Sequence, residues 1–335
     1  MKVAYVIYPD ALVSGRSNGV RSQALVWKDI LESKGICVDL INCWEHYNWR
    51  DYDVVHYFGP GPWIEHLSAR LRSLVGKSIY SPIEGDFAPM YNLKKEIFKK
   101  KLAKFTNRRW YNPFIERSYE LKNNDLICVR SDFEADFIAT MYDFPRERMV
   151  KIPLSFTVGL DDYFDNNVEH EDFVLHISSI YQERKNVKRL IRAAKKFHFN
   201  LLLAGNKGNE EQFKPIKDEI GDAENIQVLG FISEEEKISL YKKARVFALP
   251  STMEGVGIVA LDAAALGCDV AITNLGGPKE YYSGMASLVD PYSVDSIGNG
   301  IVDLFNSSKQ PELSKYVREN FSPSKIGDML IEMYM

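Results

Sequence analysis

The sequence predicts two doubly wound α/β domains in series, and three observations carry that prediction. Short apolar runs that read as buried strands alternate with segments of helical periodicity, the pattern of a parallel sheet with helices on both faces. The alternation starts afresh after a stretch rich in Asp, Asn and Gly, "SFTVGLDDYFDNNVEHE" (155–171), as linkers are. The 335 residues suit two domains of ordinary size.

In the first half, residues 2–8 read as a buried strand bounded by Pro9. A Gly/Ser loop, "SGRSNG" (14–19), follows, then Val20, Ala24, Trp27 and Leu31 at helical spacing until Gly35. "CVDLIN", "DVVHYFG" (53–59), "SIYSPIEG" (78–85), "DLICVR" (125–130) and "MVKIPL" (149–154) are the later strands. In the second half "DFVLHIS" (172–178), "NLLLAG" (200–205), "IQVLG" (226–230), "RVFALP" (245–250) and "DVAIT" (269–273) are strands. "NVKRLIRAAKKF" (186–197) is amphipathic, and Ser233 with Glu236 three residues on marks a helix start. The expected division is an N-terminal domain over 1–155, a C-terminal domain over 156–310, and a terminal helix over 311–335 that crosses back to the first domain.

Composition narrows the function classes. A 45% hydrophobic and 26% charged chain is that of a soluble globular protein, and a formal charge of −4 gives no global case for nucleic acid. Cys37, Cys43, Cys128 and Cys268 are scattered without CxxC spacing, so neither zinc nor a disulfide framework is expected. The longest apolar stretch, 255–273, holds Asp262 and Asp269, so no membrane span is expected. The expected location is cytoplasmic.

The chemistry concentrates in "STMEGVGIVALDAAALGCDVAITNLGGPKE" (251–280). Glu254, Gly255 and Gly257 fall where a strand's carboxyl end turns into a helix, 256–266, that Gly267 can end. Ligands of open α/β sheets bind at such ends. A helix N-terminus with close glycine backbone suits phosphate, while acids there can accept hydrogen bonds from ribose or sugar hydroxyls.

This stretch resembles the signature of the GT4-type retaining glycosyltransferases: Pro-Ser, Glu, Gly, Gly, an acid eight residues after the first Glu, then Gly-Gly and Glu. "HISSIYQERKNVKRLIRAA", "LLLAGNKG", "IQVLGFISEEEKISLYKKARVFALPS" and "DLICVRSDFEADFI" match in order and spacing. The resemblance implies a GT-B fold, two Rossmann-like domains facing across a cleft, and transfer of a sugar from a UDP- or GDP-sugar with retention, without a cofactor. It implies catalytic roles for Glu254, near the transferred sugar, and Lys185, neutralising the diphosphate. Asp262 would hydrogen-bond the ribose. Gly255, Val256, Gly257 and Ile258 would offer backbone to diphosphate and sugar. Phe231 and Ile232 would contact the base, and Asn18 and Gly19 would face the diphosphate from the first domain. The family's second cation, an arginine, is replaced here by Ser178-Ser179, and Arg184 stands as its substitute. His56 and Glu84 fall where relatives line the acceptor side.

An Asp-x-Asp pair, "DYD" (51–53), precedes a strand and so lies at the wrong edge of a sheet for a metal-bound diphosphate. No metal requirement is expected. Residues 91–110 hold eight Lys/Arg and one Glu around an irregular apolar stripe of Leu93, Ile97, Leu102 and Phe105 that ends at Trp110. That reads either as a peripheral contact with an anionic membrane surface, the acceptor then being a lipid-linked sugar, or as a solvated helix capping the first domain. The expected activity is glycosyl transfer to a glycan or lipid-linked acceptor in cell-surface polysaccharide assembly. The alternative is a noncatalytic nucleotide-sugar-binding partner in such an assembly. A dehydrogenase is disfavoured because no GxGxxG opens either half.

Overall fold

A computed structural model describes residues 1–8, 19–42, 44–59, 63–84, 92–105, 112–158 and 170–335. They form two compact units, Met1–Leu154 with Pro323–Met335, and Ser155–Ser322.

The first unit is built on six parallel strands: β1 (Lys2–Ile7), β2 (Cys37–Leu40), β3 (Val54–Phe58), β4 (Lys77–Ser81), β5 (Leu126–Val129) and β6 (Met149–Lys151). Their order is β2-β1-β3-β4-β5-β6. Every residue of β3 is buried, as are five of the six in β1, so both faces of the sheet centre are covered. That is why these strands read as continuous apolar runs rather than alternating ones. The helix Gly19–Ser33 turns Ala24, Trp27 and Leu31 inward.

The tail beyond Pro311 is two helices, Glu312–Phe321 and Pro323–Tyr334, with the break at Ser322-Pro323. Proline suits the first turn of a helix, where its missing N–H is not needed. The second of these helices lies on Gly19–Ser33, and Gly327 permits the approach: a Cβ there would stand 2.7 Å from Ile30 Cγ2. Tyr334 then reaches the sheet, its hydroxyl 2.9 Å from that of Tyr5.

The second unit has β7 (Glu171–Ile177), β8 (Asn200–Ala204), β9 (Ile226–Gly230), β10 (Ala244–Leu249), β11 (Asp269–Thr273) and β12 (Ser287–Val289), all parallel. The order is β12-β11-β10-β7-β8-β9. The chain winds outward from β7 through β9, then returns to the other side of β7 as β10. Strand order therefore reverses between β7 and β10, and the crevice for a ligand lies outside their carboxyl ends. Ser233 caps the helix Glu234–Lys243 by accepting the Glu236 N–H at 3.1 Å.

Candidate functional site

The loops leaving β7 and β10 meet across that reversal point. Lys185, eight residues beyond β7, donates its ammonium to Glu254 Oε2 at 2.6 Å; Glu254 lies five residues beyond β10. Both side chains are only 11% exposed. Ser251 donates its hydroxyl to the same oxygen at 3.1 Å. Burial pushes the Glu254 carboxyl up, but the Lys185 charge and hydrogen bond outweigh it and hold the group below its ordinary range.

Asn186 fixes the geometry of this pair. It adopts φ +60, a left-handed conformation that Asn tolerates better than most residues, and opens the helix Val187–Phe197. Its buried amide donates to Pro250 O at 2.8 Å and Pro291 O at 2.6 Å, tying the Lys185 loop to the end of β10. The Thr252 N–H adds a bond to Arg184 O at 2.8 Å. Arg184 lies beside Met253, its Nη1 3.5 Å from that carbonyl, and its charge also favours the ionised Glu254.

Gly255, Val256, Gly257 and Ile258 follow directly. Gly257 takes φ +79 as the N-cap of the helix Ile258–Ala265, and no side chain caps that helix. Its first N–H groups are therefore available at the positive end of the helix dipole. A Cβ on Gly257 would stand 3.0 Å from Leu249 Cδ2 and 3.6 Å from Glu254 Cγ. The arrangement offers cations, backbone donors and a carboxylate within one crevice, the means to hold a diphosphate and orient a hydroxylated group.

On the β8–β9 side, Gly205 takes φ +113, and a Cβ there would meet Ser178 O at 2.1 Å. His176, in β7, donates Nδ1–H to Ala248 O at 2.7 Å, because a carbonyl oxygen can only accept. Nε2 must then accept from the Ser178 hydroxyl, also at 2.7 Å. Burial lowers the His176 pKa to about 4. Phe231, just beyond β9, is 80% exposed, and Ile232 is half-buried beside it.

Two expected site residues have their polar atoms engaged within the chain. Asp262 is not a free carboxylate: it is 1% exposed, Oδ1 accepts the Thr157 N–H at 2.6 Å, and Oδ2 accepts the Thr157 hydroxyl at 2.9 Å. Burial holds it above its ordinary pKa, against the pull of those bonds. It sits at the fifth position of its helix, inside the unit, with its oxygens committed to the chain segment after Ser155. His56 is a core residue, fully buried and stacked on Phe58 at 4.2 Å. Its nitrogens are bonded to Tyr334 Oη and Ser81 Oγ, each at 2.8 Å, and burial lowers its pKa to about 3.

Glu84 is ion-paired with Arg117, which also reaches Glu120, and its backbone N–H bonds Glu134 at 2.6 Å. Gly19 begins its helix, and among the described residues no atom comes within 4 Å of where its Cβ would stand. Asn18 lies outside the described residues, as does Trp110. Asp53 bonds the backbone N–H of Lys2 at 2.7 Å, which puts the Asp-x-Asp pair at the amino edge of its sheet. Among the described residues, no three His, Cys, Asp or Glu side chains are grouped to hold a metal ion, and no helix is long and apolar enough to cross a membrane. Sequence reasoning missed Ser251 as a Glu254 partner, Asn186 as the clamp, and Thr157 as the claimant on Asp262.

Residues 161–321 match the family model described as Glycosyl transferases group 1. O-antigen chain mannosyltransferase B of Escherichia coli is 25% identical over 285 residues, 79% of this chain and 69% of that protein. The chain spans about half the length of several other curated relatives that it matches. Sucrose-phosphate synthase from Thermosynechococcus elongatus superposes with a TM-score of 0.72 at 14% identity, over 100% of this chain and 98% of that one. HepE of Anabaena, solved in complex with UDP-glucose, superposes at 0.66 and 15% identity over 99% of each chain. The two parallel six-stranded sheets and these superpositions are those of a GT-B fold of two Rossmann-like domains.

Proposed function

Residues 161–321 being a glycosyl transferases group 1 domain, we propose that the protein moves a sugar from a UDP- or GDP-sugar to a glycan or lipid-linked acceptor, with retention at the anomeric carbon. The observation that carries this is the Lys185–Glu254 pair standing across the reversal of strand order beside an uncapped helix N-terminus. Lys185, Arg184 and the N–H groups of residues 255–258 stabilise charge on the departing diphosphate. Glu254, once that diphosphate has drawn Lys185 away from it, accepts hydrogen bonds from hydroxyls of the transferred sugar. The incoming acceptor hydroxyl attacks on the face the nucleotide leaves, and the leaving phosphate takes its proton. The O-antigen relative supports a place in cell-surface polysaccharide assembly.

Incubation with a panel of nucleotide sugars, reading thermal shift and nucleotide release, tests the activity. The anomeric configuration of the product tests retention, and unchanged turnover in a chelator tests independence from metal. Ser178-Ser179, in place of the family's arginine, favours a second reading as a noncatalytic binding partner; sustained nucleotide release excludes it.

Peripheral membrane contact at the cytoplasmic face belongs to the same proposal. The helix Leu93–Phe105 exposes Phe98 and Phe105, 66% and 88%, among its lysines, while Lys100 and Ala103 face inward. Lys100 bonds Thr140 O, Met141 O and Asp143 and is structural. Neutralising Lys94, Lys95, Lys99 and Lys101 while sparing Lys100 should reduce pelleting with anionic vesicles; unchanged pelleting removes this contact.

A further inference from the structure

The loops that leave β7, β8 and β9 are pinned to one another along the carboxyl edge of the second sheet. Ile180, three residues beyond β7, donates its N–H to Asn206 O in the loop after β8, at 2.7 Å. The Gly205 N–H donates to the carbonyl of Gly230, the last residue of β9, at 2.6 Å. The Asn206 side chain accepts the Gly208 N–H at 2.8 Å and so closes the turn that carries Lys207.

Lys207 is held across the end of β9 by this turn. A Cβ on Gly230 would stand 3.4 Å from Lys207 Cε and 3.7 Å from its Nζ. The next residue is the exposed Phe231. Among the described residues no carboxylate pairs with the Lys207 ammonium, whose neighbour is the Phe213 ring, 5.6 Å away at its centroid. An open aromatic face and a cation with unused N–H groups thus stand side by side. A single exposed ring needs no explanation of its own; the position of this pair supplies one. The end of β9 lies two strand spacings, about 10 Å, from the end of β7. With a diphosphate at Lys185 and the sugar at Glu254 on the β10 side, the nucleoside runs the other way, over β8 toward Lys207 and Phe231.

The two residues read a base differently. Stacking on a ring accepts any base, because every base has a π-face. An ammonium only donates, so it pairs with a carbonyl oxygen and not with an amine. Uracil O4 and guanine O6 are acceptors where cytosine and adenine carry amino groups. Resting on the nucleotide-sugar reading above, we propose that Lys207 selects the base of the donor, its ammonium donating to the carbonyl oxygen of a uracil or guanine stacked on Phe231 and turning away cytosine and adenine.

Calorimetry with UDP, CDP, GDP and ADP on wild type, Lys207→Met and Phe231→Ala decides this, with melts to confirm that each variant folds. Both side chains are exposed, so both variants keep the wild-type melting temperature. The wild type binds UDP tighter than CDP, or GDP tighter than ADP, by about tenfold, the scale of one hydrogen bond to a charged group. Lys207→Met keeps the aliphatic stem and brings that ratio to within about twofold. Lost attraction for the shared diphosphate would weaken all four nucleotides alike and leave the ratio standing. Phe231→Ala weakens whichever nucleotides bind by about tenfold and keeps the ratio. An unchanged ratio in Lys207→Met overturns the proposal, as does a wild type that binds oxo and amino bases equally; the nucleotide site survives either result. Unchanged affinities in Phe231→Ala overturn the stacked placement of the base. Failure of the wild type to bind any of the four overturns both this proposal and the function it rests on.

Discussion

Asp262 holds Thr157 with both carboxylate oxygens, at 2.6 Å to the backbone N–H and 2.9 Å to the hydroxyl. The segment that opens the second unit is thus tied to the helix Ile258–Ala265 by an acid that sequence spacing alone would assign to a ligand.

That tie predicts the behaviour of two variants. Asp262→Ala strands the Thr157 N–H and should cost about 1–3 kcal/mol, read as a fall in melting temperature. Asp262→Asn keeps an acceptor for the N–H. Because burial raises the native pKa above that of the unfolded chain, the native state holds this proton more tightly. The wild type therefore loses stability as pH rises through that pKa, and the Asp262→Asn variant does not. Melts from pH 4 to 7 should show the difference between the two shifting in favour of Asp262→Asn. A constant difference would mean that Asp262 is not the group titrating.

The two buried histidines titrate with the opposite sign. His56 and His176 are lowered to about 3 and about 4, so the native chain keeps both neutral while the unfolded chain protonates them below about pH 6.5. Their contribution is complete above that pH and is lost on acidification toward pH 4, at up to about 1.4 kcal/mol per pH unit for each. His176→Gln should flatten the acid limb of the stability curve; an unchanged slope would refute the assignment.

Gly205 and Gly284 separate steric necessity from conformational preference. Both have positive φ, but a Cβ on Gly205 meets Ser178 O at 2.1 Å, whereas around Gly284 there is open space. Gly284→Ala should cost about 1 kcal/mol. Gly205→Ala should cost several times that or prevent folding, because the carbonyl it strikes is backbone. Denaturant midpoints compare the two directly.

The two parallel sheets were legible because strands covered on both faces leave continuous apolar runs. The exception is β12, three residues beginning with a serine and too short to leave such a run. The placement of Lys185 and Glu254 just past the carboxyl ends of β7 and β10 was legible because the apolar strand runs before them fix those ends. The partners of Asp262 and His56 were not legible because spacing reports neither burial nor contacts: Thr157 is 105 residues from one, and Tyr334 is 278 from the other. The Glu84–Arg117 pairing left no local signal, since it depends on which elements the topology brings together.

The central claim is that Lys185 and Glu254 form one working site for a nucleotide sugar. Nucleotide release from UDP- and GDP-sugars by wild type, Lys185→Ala and Glu254→Ala, with melts to confirm folding, tests it most directly. The account predicts release by the wild type and a loss of at least about a hundredfold in each folded variant. Folded variants that release nucleotide at the wild-type rate would contradict it.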